Sequence, residues 1–150
     1  MTDPLALFTR LIEESFNAGD LEVLQELIAP NFVEHQFETP QRPARAVGPD
    51  GVARTVRQLR AGADDFHLTI EDSSVTGATV WARLRATGTD THGQLGQTAT
   101  GKTFEITVVD IARYADGQMV EHWGVPDRLG VLLQLGLYGP PPISRAPAPG

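Results

Sequence analysis

The sequence predicts an α+β fold, with three N-terminal helices packed on a curved antiparallel or mixed sheet that encloses an apolar cavity. Three observations carry that prediction. Apolar residues recur at helical spacing up to about residue 60. From Asp65 onward the period changes to two, as in half-buried strands. Turn residues rich in Gly, Asp and Thr separate the alternating stretches. Helices followed by a meander of strands form an α+β pattern. Long strands curling around amphipathic helices make a cone, and its interior is the default ligand site.

The elements follow in order. Leu5, Phe8, Leu11, Ile12 and Phe16 form one helical stripe after an Asp3-Pro4 start, and Asn17-Ala18-Gly19 stops it. Asp20 can cap a second helix with a stripe of Leu21, Leu24, Leu27 and Ile28, ended by Pro30. Residues 36–50 hold Pro40, Pro43 and Pro49 and little periodicity, which suits a loop at a cavity rim. A third helix starts near Pro49, with Val52, Val56 and Leu59 inward and Arg54, Arg57 and Arg60 on a solvated face. Strands are expected over 66–71, 79–88, 102–114 and 118–125, and residues 89–101 join two long antiparallel strands. A short helix over 128–135 follows, with Asp127 as its cap.

At 150 residues the chain suits one domain, over residues 1–136, followed by a proline-rich, extended or disordered tail over 137–150. Apolar content of 41% with 21% charged residues is ordinary for a soluble protein. A net charge of −7 argues against nucleic acid as a partner, since phosphate binding needs a basic face. The absence of cysteine excludes disulfides, a thiolate nucleophile and cysteine-bound metal, and fits a cytoplasmic location. No apolar run reaches membrane-span length, so no membrane partner is expected. His35, His67, His92 and His122 show no ligand spacing, so no metal is expected. Neither a phosphate-cradling glycine motif nor a serine elbow is present.

Chemistry is expected in the hairpin from Phe104 to Asp127. A three-residue loop at Ala115-Asp116-Gly117 would place Asp110 directly across from His122. Both lie on a face otherwise carrying Phe104, Ile106, Val108, Ala112 and Val120. A carboxylate and an imidazole in a greasy wall are costly unless they satisfy each other or serve a substrate. Asp110 is therefore the candidate general base, and His122 the partner that orients it or shuttles a proton. Phe16, Phe32, Phe66, Trp81 and Phe104, with Val108, can line a cavity for a flat aromatic ligand. Glu121 and Trp123 fall on the opposite face with Val109, Ile111 and Met119, an apolar surface suited to a homodimer. Glu34 and Glu38 read as solvated, and His92 as a loop residue.

Four segments in this order resemble a SnoaL-like polyketide cyclase, within the nuclear-transport-factor-2-like cone folds. They are FNAGDLEVLQELIAPNFVEH, GPDGVARTVRQLR, ATGTDTHGQLGQTATGKTFEI and YADGQMVEHWGVPDRLGVLLQLG, spanning about residues 5 to 136. The resemblance implies a cone-shaped α+β barrel, a homodimer, and cofactor-free acid/base catalysis of an intramolecular aldol ring closure on an aromatic polyketide. It also implies that His35 lines the cavity. The pattern implies a histidine on the penultimate strand and an aspartate on the last, where this chain has Asp110 and Gly124. That departure leaves two alternatives on the same fold. One is a cofactor-independent hydroxylase of a polycyclic aromatic polyketide; the other is a non-catalytic small-molecule-binding module.

Overall fold

The computed structural model describes residues 2–93 and 98–139. The tail from residue 140, and residues 94–97 of the loop joining the two long strands, lie outside the described residues. The first helix, α1 (Pro4–Arg10), starts at Asp3, whose carboxylate accepts from the Leu5 N–H, and has Pro4 in its first turn. It runs on as a π-helical segment, Leu11–Asn17. Asn17 ends this segment and ties it to the sheet, since its carboxamide donates to Leu68 O and accepts from Leu68 N. Arg60 lies not on a solvated face but against that helix end, donating to the carbonyls of Phe16 and Asn17 at 3.1 and 2.7 Å.

The second helix is much shorter than its apolar stripe suggests. Only α2 (Leu24–Leu27) is helical, and Ile28–Glu34 extends as β1. Pro30 biases Ala29 towards extended backbone, and the register of β1 breaks between Ile28 and Val33, where a missing N–H is tolerated. Strand β1 pairs in parallel with the last strand and antiparallel with the two-residue β2 (Arg45–Ala46). Helix α3 (Gly48–Gly62) buries Val52 and Val56 as the spacing predicts. The meander follows as β3 (His67–Thr76), β4 (Thr79–Thr89), β5 (Thr103–Ala115) and β6 (Gln118–Pro126), then α4 (Arg128–Gln134). Asp127 caps α4 by accepting from the Gly130 N–H.

The six strands form one mixed sheet in the order β2-β1-β6-β5-β4-β3. Its inner face and the helices share one apolar core: Phe8, Leu11, Ile12 and Val56 pack with Val80, Leu84, Ile106 and Ala112. This is the cone-shaped α+β barrel. Even-numbered residues of β4 and β5 point inward and odd-numbered ones outward. Trp81 is thus 48% exposed on the outer face, not in a cavity wall. It stands across from Ile111, which stands across from Trp123.

The hairpin turn is tighter than expected. Asp116 and Gly117 have φ of 51° and 77°, and Ala115 pairs with Gln118, a two-residue turn with both central residues left-handed. A bulge then leaves Val120 unpaired, so Tyr114 faces Met119 but Arg113 faces Glu121. Beyond the bulge, Asp110 stands across from Gly124 and His122 across from Ala112. The bulge also turns Met119, expected on the outer face, into the core at 2% exposure, and Val120 is the extra residue rather than an inner-face one.

Candidate active site

Three strands build the site. The parallel pairing of β1 and β6 sets Glu34 beside His122, and the antiparallel pairing of β5 and β6 sets Asp110 one step diagonally away. His122 Nδ1 lies 2.8 Å from Glu34 Oε1, and His122 Nε2 lies 3.0 Å from Asp110 Oδ1. Both ring nitrogens face carboxylate oxygens, so both must donate, which requires the imidazolium. Burial alone would lower the His122 pKa. The hydrogen bonds and charges of Asp110 and Glu34 outweigh burial and push it up to about 10. At neutral pH the site is an imidazolium held between two carboxylates. Asp110 Oδ2 carries no hydrogen bond among the described residues.

Gly124 makes the diagonal contact possible. A Cβ at this position would sit 2.2 Å from Gln36 Oε1 and 2.8 Å from His122 Cε1. The space a side chain would occupy is filled by the His122 ring and the Gln36 carboxamide. Gln36 can swing aside, but His122 is pinned at both nitrogens. Gly124→Ala should therefore destabilise the fold by about 1–3 kcal/mol, the usual cost of overpacking, read as a lower urea midpoint. An unchanged midpoint would mean that the ring yields freely.

Tyr114 is the next polar group on this inner face after Asp110, two pleats along β5. Its hydroxyl is buried with no hydrogen-bond partner among the described residues. Burial, helped by the Asp110 charge, drives its pKa well above the usual tyrosine range.

The structure thus brings Asp110 and His122 together and adds Glu34, which the sequence reading left to solvent. The side chains of His122, Asp110 and Glu34 are 14%, 12% and 24% exposed, so Glu34 is the wettest of the three. Val108 is partly buried and lies next to Asp110 on the same face. Phe32, Phe66 and Phe104 are core residues, and Phe16 packs partly buried against them.

His35 is elsewhere. Adjacent residues on β1 and β6 point to opposite faces, and His35 stacks on Trp123 at 4.5 Å with an interplanar angle of 9°. Its ring nitrogens face Glu38 and Glu121, each at 3.0 Å. Glu121 also takes the Arg113 guanidinium, the main cause of its lowered pKa. His35 therefore belongs to an outer-face cluster away from His122, and Glu38 is hydrogen-bonded to its ring rather than merely solvated. His92 is a loop residue beside Asp64.

A cleft of about 240 Å³ opens at the Glu34 end of the site. The proline-rich loop forms one wall through Phe37, Pro43 and Arg45, and the start of α3 forms another through Val47, Gly51 and Arg54. The rim expected of residues 36–50 is this wall. Arg128 covers the Phe37 ring at 4.6 Å, holding the loop to the start of α4.

A family model described as SnoaL-like polyketide cyclase matches residues 6–135. The aklanonic acid methyl ester cyclase DauD of Streptomyces sp. (strain C5) is 29% identical over 155 residues, spanning 99% of this chain and 91% of the relative. DnrD of Streptomyces peucetius, also named an aklanonic acid methyl ester cyclase, is 29% identical over 153 residues, spanning 98% of this chain and all of the relative. The crystal structure of IdmH from Streptomyces antibioticus, a candidate polyketide cyclase, matches with a TM-score of 0.78 at 34% identity, covering 90% of this chain and 99% of that one.

Proposed function

The chain belongs to the SnoaL-like polyketide cyclase family, and from that premise we propose that it closes a ring in an aromatic polyketide by acid/base catalysis centred on Asp110. The observation that carries the reading is the chain of contacts from Glu34 through His122 to Asp110 on the inner face of the cone. The relatives named for action on aklanonic acid methyl ester support the substrate class.

Asp110 removes an acidified C–H proton flanked by carbonyls, using its Oδ2. The electron pair left on carbon forms an enolate, which the substrate's own carbonyls stabilise, so no cofactor enters the step. The enolate carbon attacks a second carbonyl of the same molecule, forming the C–C bond and an alkoxide. The proton on Asp110 returns to the alkoxide, and the product is an isomer of the substrate. His122, protonated throughout, fixes the Asp110 carboxylate through Nε2–H and is itself fixed by Glu34 through Nδ1–H. Holding the folded-back chain adds the proximity contribution.

The test is an absorbance-monitored incubation with an anthraquinone-type polyketide methyl ester, in air and without oxygen. Ring closure proceeds at the same rate in both and conserves the substrate mass. Conversion only in air, with gain of one oxygen atom, would replace this reading with the hydroxylase. Ligand stabilisation with no conversion would favour the binding module. The outer row of Trp81, Ile111 and Trp123 we assign to a second copy of the chain. Trp81→Glu should then sediment as a monomer where the wild type sediments as a dimer; equal sedimentation coefficients would remove that assignment.

A further inference from the structure

Ring closure by the proposed route moves negative charge from Asp110 onto the substrate, first as an enolate oxygen and then as an alkoxide. An oxyanion in a partly buried site needs a hydrogen-bond donor aimed at it. The residues already placed in the site do not supply one. Glu34 and Asp110, when ionised, offer only acceptor oxygens. Both N–H groups of His122 are taken by those carboxylates. The Tyr114 hydroxyl is buried out of a ligand's reach, whereas the Asp110 side chain is 12% exposed. One carboxamide remains. Gln36 Cδ lies 2.9 Å, and His122 Cε1 2.8 Å, from the point where a Cβ on Gly124 would stand. Gly124 is directly across from Asp110, and Cβ positions so paired are about 4.5–5.5 Å apart. The carboxamide is therefore on the inner face, beside both His122 and Asp110. Neither its oxygen nor its NH2 makes a hydrogen bond among the described residues. The residue is anchored from behind, since its backbone N–H donates to Glu34 Oε1 at 2.9 Å and the Phe37 ring after it lies under Arg128. Glu34 and Phe37 both line the cleft, which puts Gln36 between that opening and Gly124.

We propose that Gln36 is a further catalytic residue, its carboxamide NH2 donating to the substrate oxygen that turns negative when Asp110 takes the proton. The proposal rests on the ring-closure reading and gives it the donor that it otherwise lacks. The space beside Asp110 is the space over Gly124, and the absence of a side chain there leaves it to the carboxamide and the ligand. A carbon acid held at Asp110 carries its carbonyl on the adjoining atom, within the neighbourhood of that NH2. Glutamine donates without releasing a proton, so the proton accounting is unchanged: Asp110 takes the proton from carbon and returns it to the alkoxide. The hydrogen bond strengthens as charge develops on oxygen, so its effect falls on the transition state more than on the bound substrate.

The test has a kinetic arm and a binding arm, both on the full chain. Gln36→Met keeps the length of the side chain and removes the donor. It should lower kcat about a hundredfold on the polyketide methyl ester, the usual cost of losing one oxyanion donor, with KM nearly unchanged and the melting curve matching wild type. The binding arm needs no turnover. Asp110→Asn stands in for the protonated base, and 2-hydroxyanthraquinone, whose phenolate absorbs in the visible, stands in for the enolate. Titrated on either side of the probe's own ionisation, Asp110→Asn should bind the phenolate about tenfold or more tightly than Asp110→Asn/Gln36→Met does. The neutral phenol should bind both proteins alike, which a merely structural role for Gln36 would not produce. A kcat within twofold of wild type in Gln36→Met, equal phenolate affinities in the two binding variants, or no binding of the phenolate to Asp110→Asn would each overturn the proposal. A phenolate preference that depends on Gln36, in a protein whose wild type does not turn over the ester, would leave the donor standing and the ring-closure reading overturned.

Discussion

Asp110→Asn should lower kcat about 10²–10⁴-fold, the range expected for removing a positioned general base, with KM changed little. Asparagine keeps the size of the side chain and an oxygen that can still accept from His122 Nε2–H, 3.0 Å away in the native site. It cannot take up a proton at the carbon acid. The packing around this position is tight but tolerant of the exchange, since Asp110 is 9% exposed and faces Gly124 rather than a bulky side chain. The loss should therefore fall on chemistry and not on folding or binding. Steady-state kinetics with a matching circular dichroism spectrum and melting curve make the check. Turnover within a fewfold of wild type would remove Asp110 from the mechanism and shift attention to Glu34 or Tyr114. A large rise in KM with kcat retained would make Asp110 a binding group.

The closeness of Asp110 and His122 was legible in the sequence for a reason that survives an error in register. The expected three-residue loop and the observed two-residue turn plus bulge differ in pairing by two positions, and side chains alternate with a period of two. A slip of two keeps Asp110 and His122 on one face; a slip of one would have parted them. They became diagonal neighbours instead of a direct pair, and Gly124 leaves room for the reach. Glu34 was not legible, because its position depends on β1 pairing with β6 across almost ninety residues. Local spacing at Leu21, Leu24, Leu27 and Ile28 favours a helix. The parallel neighbour overrides that preference from Ile28 on, as tertiary context commonly does for weak propensities. The signal that could have found the strand is Ala29-Pro30 followed by the alternation Phe32, Glu34 against Val33, His35. Trp81 misled by its size. Its neighbours Val80, Ala82, Leu84 and Ala86 already define the inner face by parity, and an odd-numbered residue among them must point out.

His122→Gln should produce the largest loss of stability of any single change in the site, about 3–5 kcal/mol, because it leaves Glu34 and Asp110 facing each other across a buried site with no cation between them. Glutamine preserves volume and one donor, so the loss reports charge more than packing. The pH dependence separates the two contributions. In the unfolded chain the imidazole has its ordinary pKa of 6.5, and in the folded chain the two carboxylates hold it up at about 10. The folded state thus keeps a proton that the unfolded state has released. Its contribution is complete below pH 6.5 and is lost as pH rises towards 10, with a slope approaching about 1.4 kcal/mol per pH unit for one proton. The stability difference between wild type and His122→Gln should then narrow steadily across that window, while other titrating groups affect both proteins alike. Urea unfolding at intervals from pH 6 to 10 measures it. A difference that stays constant would show that His122 is held as a neutral ring, and proton transfer by the ring itself would return to the mechanism. Two ring nitrogens that both stay protonated from pH 5 to 8, seen in nitrogen-15 shifts, would place the imidazolium where the geometry requires it and leave Asp110 as the group that accepts the substrate's proton.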